Sequence, residues 1–317
     1  METFRRLEDF PNRFRNCAVS IGKFDGPHLG HVAILRALVS RAKELDAPSV
    51  VFTFDPFPAQ ILRPSASFRA LCDVDQKIER LAALGVDALV LFPTTREFLQ
   101  TSAREFFNDV LLERLGAVAL VEGNNFHFGS DGGSVDVLAE LCLNGGVALK
   151  IVEPVVVQGA RVSSSRARAL VGTGEVEAIR ALLGRPYELR GIVERGDRRG
   201  RTLGFPTANL GSVVALVPSP GVYAAIAATP DGIERPAAVN VGGNPTFGID
   251  ATKIEAHLLG FQGDLYDRPL RLAFLEKIRD VARFESKDAL VAQMARDLRA
   301  VDAAFQRERT ANFASSK

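Results

Sequence analysis

Two histidines three residues apart stand in the sharpest motif of the N-terminal half, IGKFDGPHLGH at residues 21–31. The pattern predicts that a strand ends at Gly22, that a glycine-containing turn follows, and that a helix begins near His28 and His31. Residues at i and i+3 lie on one helix face, so both imidazoles can point at one ligand. A helix N-terminus offers free N–H groups and a positive dipole end, which suit phosphates. Two imidazoles there can donate hydrogen bonds as charge develops in group transfer at phosphorus.

Spacing alone leaves a structural interpretation of the two histidines open. His28 can cap the helix while His31 packs in a polar pocket. A zinc pair is disfavoured, because no third His or Cys stands at a recognisable ligand spacing.

The main motif of the C-terminal half is GDRRGRTLGFPTANL at residues 196–210. Its glycines, among them Gly200 and Gly204, permit close approach of the backbone to an anion. Thr207 and Asn209 are two residues apart, so on an extended segment their side chains share one face. Their hydroxyl and amide oxygens suit a hard cation such as Mg²⁺ beside nucleotide phosphates. A solvated surface turn is the alternative interpretation.

A second C-terminal pattern, IEAHLL at residues 254–259, alternates polar and apolar side chains. Glu255 and His257 therefore project from the same face of a predicted strand. A carboxylate that faces into a barrel mouth can accept a hydroxyl proton as that hydroxyl attacks a γ-phosphate. A solvated strand-face glutamate is the alternative.

The elements that must position these motifs alternate between strands and helices in the N-terminal half. Strands are predicted at 17–22, 49–54, 87–92, 117–123 and 149–157, and helices at 28–45, 74–84, 102–115, 134–144 and 164–184. Short apolar strands separated by amphipathic helices indicate a parallel α/β sheet.

From Tyr187 onward the pattern changes to short strands separated by Gly and Pro. Regular short strands with turn signals predict an antiparallel barrel. The last segment, about 286–307, has helical periodicity. We place the domain boundary so that the domains are 1–184 and 185–317.

Composition bounds the partners that the chain can have. Lys plus Arg number 39 against 38 acidic residues, so there is no global field for nucleic acid or acidic membranes. Three scattered cysteines form no disulfide framework, which favours a reducing cytoplasm. The sequence contains no long uncharged apolar run and no secretory h-region at its start. We therefore expect a cytoplasmic protein with small-molecule partners; homo-oligomerisation is left open.

The N-terminal half resembles the nucleotidyl-transferase domain of bacterial bifunctional riboflavin kinase/FAD synthetases. Its first motif is similar to their G-x-F-D-G-x-H-x-G-H signature, and the similarity continues in family order through VVFTFDPFP (50–58), LGVDALVLFPTTREF (84–98), NNFHFG (124–129) and RVSSSRARALVGTGEVEAIRALLGRPY (161–187). The resemblance implies a Rossmann-like domain that binds ATP and a flavin. The residues that it implicates are His28 and His31 at the ATP phosphates, Ser164 and Arg168 near the phosphate tail, Asn125 at the nucleotide, and Phe54, Pro56 and Pro58 beside the flavin.

The C-terminal half, about 186–300, resembles the riboflavin kinase module through GRTLGFPTAN, PGVYA and the RFESKDAL helix start. That family folds as a small antiparallel β-barrel with a C-terminal helix. The resemblance implies that Thr207 and Asn209 hold Mg-ATP, that Glu255 is the base, and that a loop at 196–204 covers ATP. Riboflavin would become FMN in this domain, and FMN would become FAD in the other.

Four departures from the family pattern lie in the N-terminal half. Phe57 stands where the family usually has His, and His127 replaces a usual Arg. The loop SDGGSVD (130–136) replaces a basic one, and Asn124 and Asn125 replace a pair with an acidic member. Loss of positive charge at a polyphosphate site predicts lower affinity or rate.

Three functions are therefore weighed. The first is a bifunctional enzyme that makes FMN and FAD. The second is a riboflavin kinase whose adenylyltransferase domain is weakened or inactive. The third is a flavin-binding regulatory protein, which would need no base such as Glu255.

Overall fold

The computed structural model describes residues 1–64, 68–196, 205–243 and 252–315. The chain forms two compact units. The first unit contains Met1–Phe68 and Val74–Ser163, and the second contains Arg69–Asp73 and Ser164–Lys317. The domain limits at 184 and 185 stay a prediction.

The first unit is built on a six-stranded parallel sheet. Its strands are β1 (Glu2–Phe4), β2 (Ala18–Ile21), β3 (Ser49–Phe54), β4 (Ala88–Phe92), β5 (Ala119–Gly123) and β6 (Ala148–Val152), in the order β1-β4-β3-β2-β5-β6. All four residues of β2 and the first four of β4 are buried, as expected for parallel strands covered on both faces. The α/β class predicted from the sequence is confirmed.

Helices of the first unit follow the strands in sequence. They are α1 (Leu29–Glu44), α2 (Pro58–Leu62), α3 (Val74–Ala83), α4 (Ala103–Glu105, continued by π-type turns over Phe106–Arg114) and α5 (Val135–Gly145). A two-stranded hairpin of β7 (Val156–Val157) and β8 (Ala160–Arg161) ends the unit. One apolar cluster on the α1 side of the sheet joins Leu35 and Leu38 to Val51, and a second, rich in phenylalanine, covers the other side.

The second unit contains α6 (Ser164–Thr173), α7 (Val176–Leu183) and a closed antiparallel barrel. The barrel strands are β9 (Tyr187–Glu194), β10 (Ala208–Gly211), β11 (Gly221–Ala228), β12 (Glu234–Gly243), β13 (Thr252–Leu258) and β14 (Pro269–Arg279), in the order β10-β13-β12-β11-β14-β9. A long helix, α8 (Lys287–Ser315), ends the chain. The predicted barrel with a C-terminal helix is confirmed, and α8 extends beyond residue 307.

The two faces of the barrel wall have different partners. Tyr223 and Phe274 meet edge to face at 5.4 Å inside the barrel, where both are fully buried. On the outside, Ala224 and Leu275 pack against Val301 and Ala304 of α8. The helix α8 therefore covers the side of the barrel that β11, β12 and β14 form.

Candidate active sites

The crevice of the first unit lies at the carboxyl ends of β2 and β5. The chain continues from β2 to β3 and β4 on one side, whereas β5 and β6 lie on the other. Open parallel sheets bind ligands at such a switch point. Backbone pairing of β2 with β5 extends to Val19 and Leu120. Past that pair a side chain joins the two strands, because Glu122 Oε1 accepts the Ile21 N–H at 2.6 Å. Burial raises the pKa of Glu122 well above its usual value.

His28 and His31 begin the helix that follows β2. His28 is the N-cap of α1, and its Nδ1 accepts the backbone N–H of His31 at 3.2 Å. The two rings stack with centroids 3.7 Å apart and an interplanar angle of 12°. A Cβ at Gly30 would lie 3.2 Å from the His28 ring, so glycine leaves room for this stack. Because Nδ1 is an acceptor, a neutral His28 carries its proton on Nε2, which makes Nε2 a donor.

His31 keeps a polar atom available for a ligand. Its Nδ1 is buried and makes no hydrogen bond in the described part of the chain. Burial lowers the pKa of His31 well below its usual value, and the charges of His28 and Lys77 lower it further. The edge of Phe24 packs at 5.3 Å from its ring. His28 thus caps the helix as the structural interpretation proposed, and the same geometry leaves a neutral imidazole with an unpaired nitrogen.

Asn125 lies at the other side of the crevice, just after β5. Arg161 Nη2 donates to Asn125 Oδ1 at 2.6 Å and to Asn124 Oδ1 at 2.9 Å. The guanidinium of Arg161 in β8 therefore fixes both amides that replace the usual acidic pair. It also places a positive charge next to the predicted nucleotide contact.

The predicted flavin border lies at the end of β3. Phe54 packs against the phenylalanine-rich side of the sheet, with its ring 6.3 Å from that of Phe98. Pro56 is exposed, and Pro58 is the first residue of α2. Further phenylalanine rings pack in close pairs and extend this apolar surface: Phe52, Phe92, Phe106, Phe126 and Phe128.

The acidic loop at 130–136 has a local structural role. Asp131 Oδ1 accepts the backbone N–H of Ala103 at 2.8 Å, at the start of α4. Ser130 donates to the carbonyls of Thr101 and Gln100. A carboxylate is stabilised at a helix N-terminus, so Asp131 contributes to the start of α4.

Ser164 and Arg168 belong to the second unit. Ser164 is the first residue of α6, and Arg168 Nε donates to the carbonyl of Arg69 at 3.4 Å. Their predicted contact with the phosphate tail remains a prediction.

A row of polar side chains crosses four neighbouring strands of the barrel wall. Glu194 pairs with Asn209, Asn209 with Glu255, and Glu255 with Asn240, on four neighbouring strands. Directly paired residues project from the same face. That face is the outer one, because the alternate residues of the same strand, Ile254, Ala256 and Leu258, are buried inside the barrel. Strand alternation predicted that Glu255 and His257 share a face, but it did not show that this face is the outer one.

Asn209 and Glu255 have the chemistry that Mg-ATP and a hydroxyl substrate require. Asn209 Oδ1 is buried and has no hydrogen-bond partner among the described residues. A Cβ at Gly196 would overlap the Asn209 amide, so the glycine lets the backbone pass. Glu255 is 31% exposed and lies 3.5 Å from Lys253 Nζ. An orphaned amide oxygen fits a hard cation, and a half-exposed carboxylate can accept a proton.

His257 holds the segment that carries Thr207. Its Nδ1 donates to the carbonyl of Pro206 at 2.7 Å, and its ring meets the edge of Phe205 at 5.7 Å. Thr207 directly precedes β10 and is half-buried; its predicted role with Asn209 stays a prediction. Gly200 and Gly204 lie outside the described residues.

Comparisons with known proteins agree with this division of the chain. A FAD synthetase model matches residues 10–166, and a riboflavin kinase model matches residues 183–305. The bifunctional riboflavin kinase/FMN adenylyltransferase of Pseudomonas fluorescens is 36% identical over 96% of this chain and 97% of its own length. The Escherichia coli K12 enzyme of the same description is 33% identical over 89% of this chain and 90% of its own.

This chain belongs to the bifunctional riboflavin kinase/FMN adenylyltransferase family. A crystal structure described as a macrolide-efflux protein from Streptococcus pneumoniae matches with a TM-score of 0.87 and 30% identity, over 95% of this chain and 98% of that one. In the described residues, no helix is long and apolar enough to cross a membrane. The same residues contain no cluster of three or more His, Cys, Asp or Glu that could hold a metal ion.

Motif spacing did not predict the contacts of several residues in this structure. Lys77 in the adenylyltransferase unit is 1% exposed, and its Nζ lies 4.2 Å from the centroid of the Phe57 ring. Arg161 and His257 stand inside matched motifs, but the spacing gave no reason to assign them a partner. Glu122 interrupts the apolar strand ALVEG, and a lone acidic residue in a central parallel strand is the signal that could have singled it out.

Proposed function

We propose that this chain makes FAD from riboflavin in two ATP-dependent steps. The observation that carries the proposal is that each unit holds its own site: stacked His28 and His31 at a sheet switch point, and Asn209 beside Glu255 on a barrel wall. Both family models match in the same order. The efflux description of the structural relative is not carried over, because both models and the full-length relatives name flavin-cofactor enzymes.

In the barrel unit, Glu255 accepts the proton of the terminal ribityl hydroxyl of riboflavin. The hydroxyl oxygen then bonds to the γ-phosphorus of ATP, the bond to the ADP oxygen breaks, and FMN and ADP leave. Thr207 and Asn209 would hold Mg²⁺ through their oxygens, where it would neutralise phosphate charge. Lys253, 3.5 Å from Glu255, keeps that carboxylate oriented before the substrate arrives.

In the sheet unit, a phosphate oxygen of FMN attacks the α-phosphorus of a second ATP, and pyrophosphate leaves. His28 donates from Nε2, and His31 presents its buried nitrogen to the same ligand, so charge on the transferring group meets preorganised imidazoles. Arg161 adds a cation at the Asn125 side of the crevice. Phe54, Pro56 and Pro58 would line the flavin ring. We infer a cytoplasmic location from the substrates.

Separate variants test the assignment of the two sites. Glu255→Gln should lower FMN formation from riboflavin at least 100-fold, because the base is lost, and should leave FAD formation from supplied FMN unchanged. His28→Ala with His31→Ala should do the reverse. The rates are measured by chromatographic separation of the flavins. Equal loss of both activities in both variants would contradict the two-site assignment.

The regulatory alternative makes a different prediction. A flavin-binding protein without catalysis would bind riboflavin but release neither ADP nor pyrophosphate when MgATP is supplied. Measuring both products in the wild type separates it from the enzyme.

A further inference from the structure

Lys77 is a buried cation next to the adenylyltransferase site. It lies on α3 and is 1% exposed. A buried ammonium is costly unless polar groups compensate it, so its surroundings must be arranged around it. It lies outside the motifs that carry the family resemblance.

Three contacts of the Lys77 ammonium lie on one short segment. Its Nζ lies 3.5 Å from Thr53 Oγ1 and 3.5 Å from the carbonyl oxygen of Phe54, at the end of β3. It also lies 4.2 Å from the centroid of the Phe57 ring, which is 7% exposed. A cation over a desolvated aromatic face is held strongly. One ammonium therefore fixes residues 53–57, the start of the predicted flavin border.

A hydrogen bond of Thr53 connects this segment with the loop between β2 and His28. Thr53 Oγ1 accepts from Lys77 and donates to the carbonyl of Lys23 at 3.2 Å. Lys23 lies between β2 and the N-cap His28. The charge of Lys77 also reaches His31, where it contributes to the lowered pKa. Lys77 therefore contacts segment 53–57 directly and affects His31 through its charge.

We propose that Lys77 is a positioning residue for adenylyl transfer, which holds the flavin-side segment 53–57 and, through Thr53, the loop that leads to His28. Phe57 is its aromatic partner. This inference rests on the proposed adenylyltransferase function. It also explains a departure from the family pattern: a phenyl ring accepts the ammonium without titrating, whereas an imidazole at residue 57 could carry a second positive charge beside it.

The test compares Lys77→Met, Lys77→Arg and Phe57→Leu with the wild type. We expect Lys77→Met to lower kcat/KM for FAD formation from FMN about 10- to 100-fold, because the two sides of the site lose their alignment. Lys77→Arg should recover part of that loss. Phe57→Leu should lower kcat/KM about two- to tenfold, and the double variant should be no worse than Lys77→Met. Riboflavin phosphorylation by the same preparations is the internal control, and exposed Lys43→Met is the matched lysine control.

A pH profile separates positioning from a general structural role. Loss of the Lys77 charge raises the pKa of His31, whose nearby charged groups are His28 and Lys77. The acid limb of the adenylyl-transfer profile should therefore move to higher pH in Lys77→Met, and should stay in place in Phe57→Leu and Lys77→Arg.

Each outcome decides the proposal. Wild-type kcat/KM and an unmoved acid limb in Lys77→Met would overturn it while the proposed function stands. Absence of FAD formation by the wild type would overturn the function and the inference together. Should the sheet unit of Lys77→Met fail to fold, as shown by loss of a native thermal unfolding transition, Phe57→Leu decides: undiminished FAD formation by that variant would overturn the proposal.

Discussion

At the residue scale, the sheet unit places titratable side chains where burial changes their protonation. His31 is favoured in its neutral form first by burial and then by electrostatic repulsion from His28 and Lys77. Glu122 is favoured in its protonated form by burial, and its Oε1 replaces a missing strand-to-strand hydrogen bond at Ile21. Motif spacing predicted that His28 and His31 share a ligand, but the protonation of a group depends on side chains that approach from other elements, such as Lys77 on α3.

Glu122 makes a prediction about stability and pH. Its folded-state pKa is raised, so its contribution to the free energy of unfolding is full below about pH 4.5 and is lost as pH rises through the folded-state pKa. The slope reaches at most about 1.4 kcal/mol per pH unit. Glu122→Gln keeps an acceptor for Ile21 and does not titrate. We expect the variant to be more stable than the wild type at pH 8, with the difference shrinking toward pH 4.5 in urea titrations.

The control for this prediction is Glu140→Gln on an exposed position of α5. It should change the free energy of unfolding little at either pH. A Glu122→Gln difference that is the same at pH 5 and pH 8 would show that the carboxyl does not titrate differently on folding.

At the element scale, helix starts and strand alternation carry the chemistry. The glycine between His28 and His31 lets α1 begin with two stacked imidazoles, and the pairing of β10 with β13 brings Asn209 opposite Glu255. The sequence predicted these elements because apolar periodicity distinguishes buried strands from amphipathic helices. It did not show that Glu255 lies on the outer face, since alternation does not say which side of a barrel wall is inside. It also could not show that His257 reaches Pro206, 51 residues away.

Gly30→Ala tests the geometry of the α1 start. Alanine favours helix over glycine by up to about 1 kcal/mol, but its Cβ would crowd the His28 ring at 3.2 Å. We expect adenylyl transfer to fall about tenfold or more, while thermal unfolding shows no loss of stability and FMN formation stays unchanged.

Gly172→Ala in α6 is the matched control, because a Cβ there meets nothing within 4 Å. It should keep both activities. Adenylyl transfer that is as fast in Gly30→Ala as in Gly172→Ala would argue against a role for the stacked arrangement.

At the scale of the whole molecule, the chain combines a parallel sheet unit and a barrel unit, each with polar atoms that its own fold leaves for a ligand. His31 Nδ1 is such an atom in the first unit and Asn209 Oδ1 in the second. Fold class and family were predictable, because the strand–helix rhythm and the two motif sets extend over nearly the whole chain. The loop at 130–136 is predicted to weaken phosphate binding; the sequence did not reveal that Asp131 also accepts the Ala103 N–H at the start of α4. Its effect on the rate of adenylyl transfer stays a prediction.

The most direct test of the central claim is a time course of purified wild-type protein with riboflavin and MgATP, with the flavins separated by chromatography. We predict that FMN appears first and that FAD then forms from it, with ADP released in the first step and pyrophosphate in the second. FMN that accumulates without FAD would contradict the claim of two active sites and leave a monofunctional kinase.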